Sequence, residues 1–419
     1  MQIGGKRRKV RLKKLYRGGD MLIMRTPDGK HDISMGAGGD GTIYVGVVKQ
    51  GDSQTGDEFG VESSKYDGAT YVALKGFMTK KQIKALPKIE RARVEAQSRW
   101  AYLNELNFLT KLMKVKSDNI VKFYGEFERR GEKHLALELI GAPPIDQYAP
   151  ISPYKDLSNY LFRYISTVFG GTTRGIKDPK FLNHEIQKVL VYSALNPQQD
   201  PVRQLWTPPE HIMKCIDSIL MGCCRGLTAI HTADVCHMDI KPQNIFMQLD
   251  LTTTDPSKIF IPKIGDFGLS HEFNDFDRNA GGQGTADYLP PEALNADTNT
   301  IREHNVTGGA RDNWGMGLTL LETIMACVGV KKVPFIEFMY GERTNASTIV
   351  WGTRPGQQLM KEANLTLVAS EPEEGGTYVI SRDASNRDHL EHKWMPIVRA
   401  LLKTNPLERT LSLPILSVD

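Results

Sequence analysis

From Thr42 to Val48 the chain reads Thr-Ile-Tyr-Val-Gly-Val-Val, a β-branched and aromatic run that predicts a strand. Tyr71 to Lys75 repeats the signal and ends in a lysine. Asn119–Gly125 and Leu135–Ile140 read as two further strands. Between them Ala92–Met113 carries Leu106, Leu109, Leu112 and Met113 at helical spacing, with Glu105 beside the stripe. Gly141-Ala142-Pro143-Pro144 then punctuates the chain, and the remainder is mostly helical, with helices near Asp156–Ile165 and around Ile186–Leu195 before the apolar run Ile212–His231. A small β-rich part followed by a larger α-rich part predicts an α+β fold of two lobes. The expected boundaries are a basic extension over 1–20, a first lobe over 21–140 and a second over 141–419.

Composition changes this picture little. The chain has 419 residues with 40% apolar and 24% charged, enough for two lobes with insertions and ordinary for a globular protein. No stretch approaches the roughly 20 apolar residues of a membrane span, and the basic start lacks the apolar segment of a signal peptide. Cys215, Cys223, Cys224, Cys236 and Cys327 form no CxxC pair, so they read as reduced core thiols. A net charge of +4 does not point to nucleic acid. Lys6, Arg7, Arg8, Lys9, Arg11, Lys13, Lys14 and Arg17 form a basic cluster, read as a solvated tail, with a nuclear-import signal or a patch for an anionic surface as the alternatives. The expected location is otherwise cytoplasmic.

Three polar segments carry chemistry. Gly36-Ala37-Gly38-Gly39-Asp40-Gly41 is followed by a strand and not a helix. It therefore reads as a strand-loop-strand turn whose amides can approach a phosphate, or simply as a glycine turn of a β protein. Lys75 gains meaning only with an anion to bind and a carboxylate to orient it. Glu105 is the candidate and Glu95 the runner-up. In His237-Met238-Asp239-Ile240-Lys241-Pro242-Gln243-Asn244, and then Asp266-Phe267-Gly268, one carboxylate can take a hydroxyl proton and a lysine can neutralise a migrating phosphoryl. An amide oxygen and a second carboxylate there suit Mg²⁺.

In this order the segments resemble the eukaryotic-type protein kinase family, serine/threonine type, from about Ile33 to Arg409. Gly284-Thr285-Ala286-Asp287-Tyr288-Leu289-Pro290-Pro291-Glu292 resembles its GTxxYxxPE run. Asp312-Asn313-Trp314-Gly315-Met316-Gly317 is similar to its buried-aspartate helix, and Arg409 to the arginine that pairs with the glutamate of that run. The resemblance implies a bilobal kinase fold that uses ATP and Mg²⁺ to phosphorylate serine or threonine of a protein substrate. It implies that Gly36, Gly38 and Gly41 cover the phosphates, that Met35 also belongs to the ATP site, and that Lys75, paired with Glu105, binds the phosphates. Ile43, Ala73 and Phe246 would enclose adenine. Leu137 would be the gatekeeper, and backbone groups of Glu138 and Ile140 would bond the base. Asp239 would be the catalytic base, Lys241 would face the γ-phosphate, and Asn244 and Asp266 would bind the metal. A kinase-like scaffold without catalysis, and a small-molecule kinase, are the competing readings.

The chain departs from the pattern in several places. Met238 stands where the family has an arginine that pairs with a loop phosphate, so activity should not depend on phosphorylated Ser270, Thr285 or Tyr288. Asp40 puts an anion at the tip of the glycine loop, which predicts weaker ATP binding. Insertions fall at Gly51–Gly68, near 170–207 and near 341–388. The first lengthens the link to Lys75, and the two in the second lobe are decoration or docking surfaces for a substrate or regulatory partner.

Overall fold

The computed structural model describes residues 20–23, 34–38, 41–49, 69–129, 132–140, 209–250, 260–275, 283–285, 288–294, 306–327, 389–390, 392–403 and 405–411, with residues 253, 255 and 258 singly. The expectations for the basic extension, Asp40, the Gly141–Pro144 boundary, the helices near Asp156–Ile165 and around Ile186–Leu195, and all three insertions lie outside these residues.

The chain divides into two compact units, one of Met1–Lys114 with Val121–Ile151 and one of Val115–Ile120 with Ser152–Asp419. In the first, β1 (Asp20–Ile23), β2 (Ser34–Gly38), β3 (Gly41–Lys49) and β4 (Ala69–Gly76) precede the helices α1 (Lys80–Ala85) and α2 (Lys88–Leu112). β5 (Phe123–Arg129) and β6 (Glu132–Glu138) complete the unit's strands. The strands form one antiparallel sheet in the order β1-β3-β4-β6-β5, with β2 also paired to β3. Val45, Val72, Leu74, Leu135, Ala136 and Phe127 are buried in it, as are Tyr102, Phe108, Leu109 and Leu112 of α2. Removing a side chain of that size from water contributes about 1.5–3 kcal/mol. The Tyr102 hydroxyl donates to Glu126 of β5 and ties helix to sheet.

The strand expected over Asn119–Gly125 begins only at Phe123. Asn119 and Ile120 belong to the second unit instead. There the Asn119 amide side chain donates to the Pro262 carbonyl at 2.9 Å, the Asn119 carbonyl accepts from Ile264 N at 2.9 Å, and Ile120 bridges Ile264.

The second unit contains α3 (Pro209–Thr232), the short strand β7 (Val235–Cys236), a 3₁₀ turn at Pro242–Asn244, and the hairpin β8 (Ile245–Leu249) and β9 (Phe260–Ile264). β10 (His271–Glu272) pairs with β7. Then come α4 (Pro291–Leu294), α5 (Gly308–Cys327) and α6 (Met395–Leu401). Its core joins Ile216, Leu220 and Leu227 of α3 to Trp314, Leu320 and Ile324 of α5 and to Trp394 and Val398. Cys215, Cys223, Cys224 and Cys236 are free and buried, and burial pushes the Cys224 thiol up to about 12. Among the described residues no helix is long and apolar enough to cross a membrane.

Candidate active site

In the first unit Lys75 lies on β4, opposite Ile43 of β3 and Leu135 of β6. A lysine in mid-sheet needs a partner, because burial disfavours an isolated cation. Its Nζ lies 2.7 Å from Glu105 Oε2, and the two side chains are 8% and 1% exposed. Glu95, on the same helix, is exposed. The helical period explains the difference, since Glu105 shares the inward stripe with Tyr102, Phe108, Leu109 and Leu112 while Glu95 faces outward.

Gly36 and Gly38 lie on β2, facing Ile43 and Gly41 of β3, and Met35 falls where the register slips between Ser34 and Gly36. Gly41 has φ +151°, and a Cβ there would lie 1.9 Å from the Gly76 carbonyl oxygen. The glycine is therefore demanded by the close backbone of β4 before any phosphate is considered. Ala73 pairs with both Val45 and Leu137, and Ile140 is buried. The Glu138 amide donates to the Lys122 carbonyl at 2.8 Å, so that N–H is not the donor a purine would meet.

The second unit holds the carboxylate cluster. One Asp239 oxygen, Oδ2, accepts from Lys241 Nζ at 2.7 Å and from Asn244 Nδ2 at 3.0 Å. The other, Oδ1, accepts from the Thr285 amide and hydroxyl, both at 2.9 Å. Lys241 Nζ also donates to the Thr285 hydroxyl at 2.5 Å. An alcohol oxygen thus sits between a carboxylate, to which it donates, and an ammonium. The Asn244 amide nitrogen is further fixed by the Asp239 carbonyl at 2.8 Å.

Three buried groups impose this geometry. The His237 ring accepts from the Asp239 amide on Nδ1 at 3.3 Å and donates from Nε2 to the Gly265 carbonyl at 2.9 Å. It also packs on Phe267, with ring centroids 5.0 Å apart, so it links the loop before Asp239 to the turn that presents Asp266. Asp266 and Met238 both hold left-handed backbone, at φ +67° and +70°, which costs a non-glycine residue on the order of 1–3 kcal/mol and persists only where the surroundings fix it. Asp312 fixes Met238. One of its oxygens accepts the Met238 amide at 2.7 Å, and the other accepts the His237 amide at 2.7 Å and His231 Nε2 at 3.0 Å. Burial pulls the Asp312 carboxyl upward, but the hydrogen bonds from His231 and the His237 amide, with the electrostatic influence of these two residues, outweigh it and hold it below the usual carboxylate range. The β8–β9 register sets Ile245 opposite Ile264, and Gly265 N donates to the Asn244 carbonyl at 3.0 Å, so the chain just before Asp266 is anchored to Asn244. Phe246 stands on β8 opposite Lys263. Farther out, Glu292 and Arg409 form two parallel bonds of 2.6 and 2.8 Å.

The sequence did not single out His237 or Arg311. The first is read only from its ring bonds. The second adjoins Asp312, and its being the one lysine or arginine between Gly308 and Cys327 was the signal available.

Residues 202–410 match the family described as protein kinase domain. This match covers the carboxylate cluster, while the glycine loop and Lys75 precede it. The chain is 34% identical over 113 residues to a calcium/calmodulin-dependent protein kinase kinase of Caenorhabditis elegans, covering 27% of this chain and 18% of that protein. It is 40% identical over 84 residues to eukaryotic translation initiation factor 2-alpha kinase 1 of Plasmodium falciparum, covering 20% and 5%. It is 30% identical over 129 residues to serine/threonine-protein kinase par-4 of C. elegans, covering 30% and 18%. The matched part thus spans less than a fifth of each of these relatives. With its motifs in order, the chain belongs to the eukaryotic-type protein kinase family.

Proposed function

We propose that the chain transfers the γ-phosphoryl group of ATP to serine or threonine hydroxyls of a protein. The observation that carries this reading is the Thr285 hydroxyl held between Asp239 Oδ1 and Lys241 Nζ, because an acceptor alcohol needs the same two contacts. Asp239 would take the proton as the alcohol attacks phosphorus, and Lys241 would compensate charge on the migrating phosphoryl. Lys75, steadied by Glu105, would neutralise the phosphates that remain behind. Asn244 and Asp266 would hold Mg²⁺, an oxygen set that suits an ion keeping much of its shell for phosphate and water. The Asn244 amide nitrogen is turned to Asp239, and its oxygen takes no part in those bonds, which fits a metal-ligand role. Bound Mg²⁺ would supply charge neutralisation on the phosphates. An aspartate base and a lysine at this spacing favour protein alcohols over a scaffold role, which needs neither.

The test is transfer of radiolabel from γ-labelled ATP to a generic protein substrate with Mg²⁺. Label should appear with the wild-type chain, and Asp239→Asn should lower the rate by about 10²–10⁴-fold, the range of general-base removal. Lys75→Met should lower it as well. Wild-type incorporation no higher than that of Asp239→Asn would overturn the proposal.

A further inference from the structure

The residue before Asp239 carries no charge. Met238 is 3% exposed and apolar, and its amide donates to Asp312. Yet a cation lies nearby. Arg311, the neighbour of Asp312 on α5, is 5% exposed, and the carboxylates that act on its guanidinium are those of Asp312, Asp239 and Glu292. All three carboxylates also accept bonds from other donors, Asp312 from three, Glu292 from the paired bonds of Arg409, and Asp239 from Lys241, Asn244 and Thr285. Of the three, Asp239 belongs to the site.

Arg311 also lies against the loop that carries Thr285. Gly284 has φ +107°, and a Cβ on it would come within 2.8 Å of Arg311 Nη2, 3.1 Å of the Met238 carbonyl oxygen and 3.5 Å of Asp239 Oδ1. Arg311 lines a water-sized void together with Asp239, Thr285, Tyr288 and Leu289. One buried guanidinium therefore underlies both Asp239 and the turn whose amide and hydroxyl bind it. Burial lowers the guanidinium's proton affinity while the three carboxylates raise it, the balance expected of a cation kept in the interior by its partners.

We infer that Arg311 is a positioning residue for the phosphotransfer site: from α5 it supplies the fixed cation, under Gly284 and beside Asp239, that Met238 does not provide. The inference rests on the phosphotransfer reading for its kinetic arm only. The charge is built into the helix, so the Gly284–Thr285 turn is held without a phosphate on the loop.

Two measurements test it. Hydrogen exchange of the Thr285 amide, which donates to Asp239, reports the turn without any catalysis. Arg311→Met should speed it by about 10-fold or more, as loss of local closing free energy does, while amides of the β8–β9 hairpin stay protected. In the transfer assay Arg311→Met should lower kcat by about 10- to 100-fold, the effect of a misplaced catalytic group, with KM for ATP unchanged. Arg311→Lys should recover most of that loss, and Met238→Arg in the Arg311→Met background should recover part of it. A folded Arg311→Met with unchanged Thr285 exchange would sink the inference, whether or not the chain proves active. Should Arg311→Met fail to fold, a folded Arg311→Lys as impaired as Asp239→Asn would sink it too. Absence of transfer by the wild-type chain would instead count against the phosphotransfer reading and leave the exchange test standing.

Discussion

Gly284 shows how one small residue can set a site. Its φ of +107° is rarely adopted by residues with a side chain, and the space a Cβ would fill is held by Arg311 Nη2 and the Met238 carbonyl. Gly284→Ala must therefore move the next residue, Thr285, away from Asp239. We expect kcat to fall by about 100-fold, as small misplacements of reacting groups do, with a smaller change in melting temperature. Transfer kinetics beside a circular-dichroism melt would check this, and equal kcat in a folded alanine variant would contradict it. At this scale the sequence was informative where a residue's chemistry is unusual for its place. Lys75 at the end of an apolar strand and Asp239 two residues before Lys241 could be singled out from type and spacing. The choice between Glu105 and Glu95 could not, because both lie on one helix. Burial against the sheet, a tertiary fact, decides it.

Among the elements, α5 does the most to organise the second unit. It carries Asp312, which ties the backbone of His237 and Met238, and Arg311 beside it. Asn313 Nδ2 donates to the Arg409 carbonyl at 3.1 Å, and the Arg409 guanidinium lies 4.8 Å from the Trp314 ring centroid. Arg409 then reaches Glu292 at the start of α4, with the Arg409 side chain fully buried and that of Glu292 8% exposed. Removing one partner from such a pair leaves the other charge buried, a loss of about 3–5 kcal/mol. Arg409→Met should thus lower the melting temperature by about 10 °C for a unit of this size. A shift of a degree or less would show that the pair adds little. Glu292 and Arg409 were readable as a pair only through family resemblance, since nothing local joins residues so distant in sequence. The strand expected at Asn119 failed for a related reason. Its apolar alternation is real, but Asn119 and Ile120 spend their backbone and side-chain bonds on β9 of the second unit. Alternation registers burial and does not say against which sheet.

For the molecule as a whole, the α+β class and the order of the motifs emerged from periodicity and spacing, while the energetic dependence of the site on α5 did not. That dependence bears on regulation. Three hydroxyls near the site could be modified in principle. Ser270 has no exposed surface, Tyr288 is 9% exposed, and the Thr285 hydroxyl is committed to Asp239 and Lys241. A phosphate on Thr285 would bring like charge onto Asp239, the base proposed for the transfer. Met238 offers no cation to a phosphate elsewhere on the loop, and Arg311 is buried, 5% exposed, under Gly284. The chain should therefore need no phosphorylation to work. Protein stripped by a phosphatase, with removal verified by mass spectrometry, should transfer label as fast as untreated protein, and Ser270→Ala should remain active. Loss of activity on stripping that returns on rephosphorylation of an identified loop residue would show that a resident charge is not enough, and that the second unit holds a phosphate-binding cation outside the contacts described for Arg311.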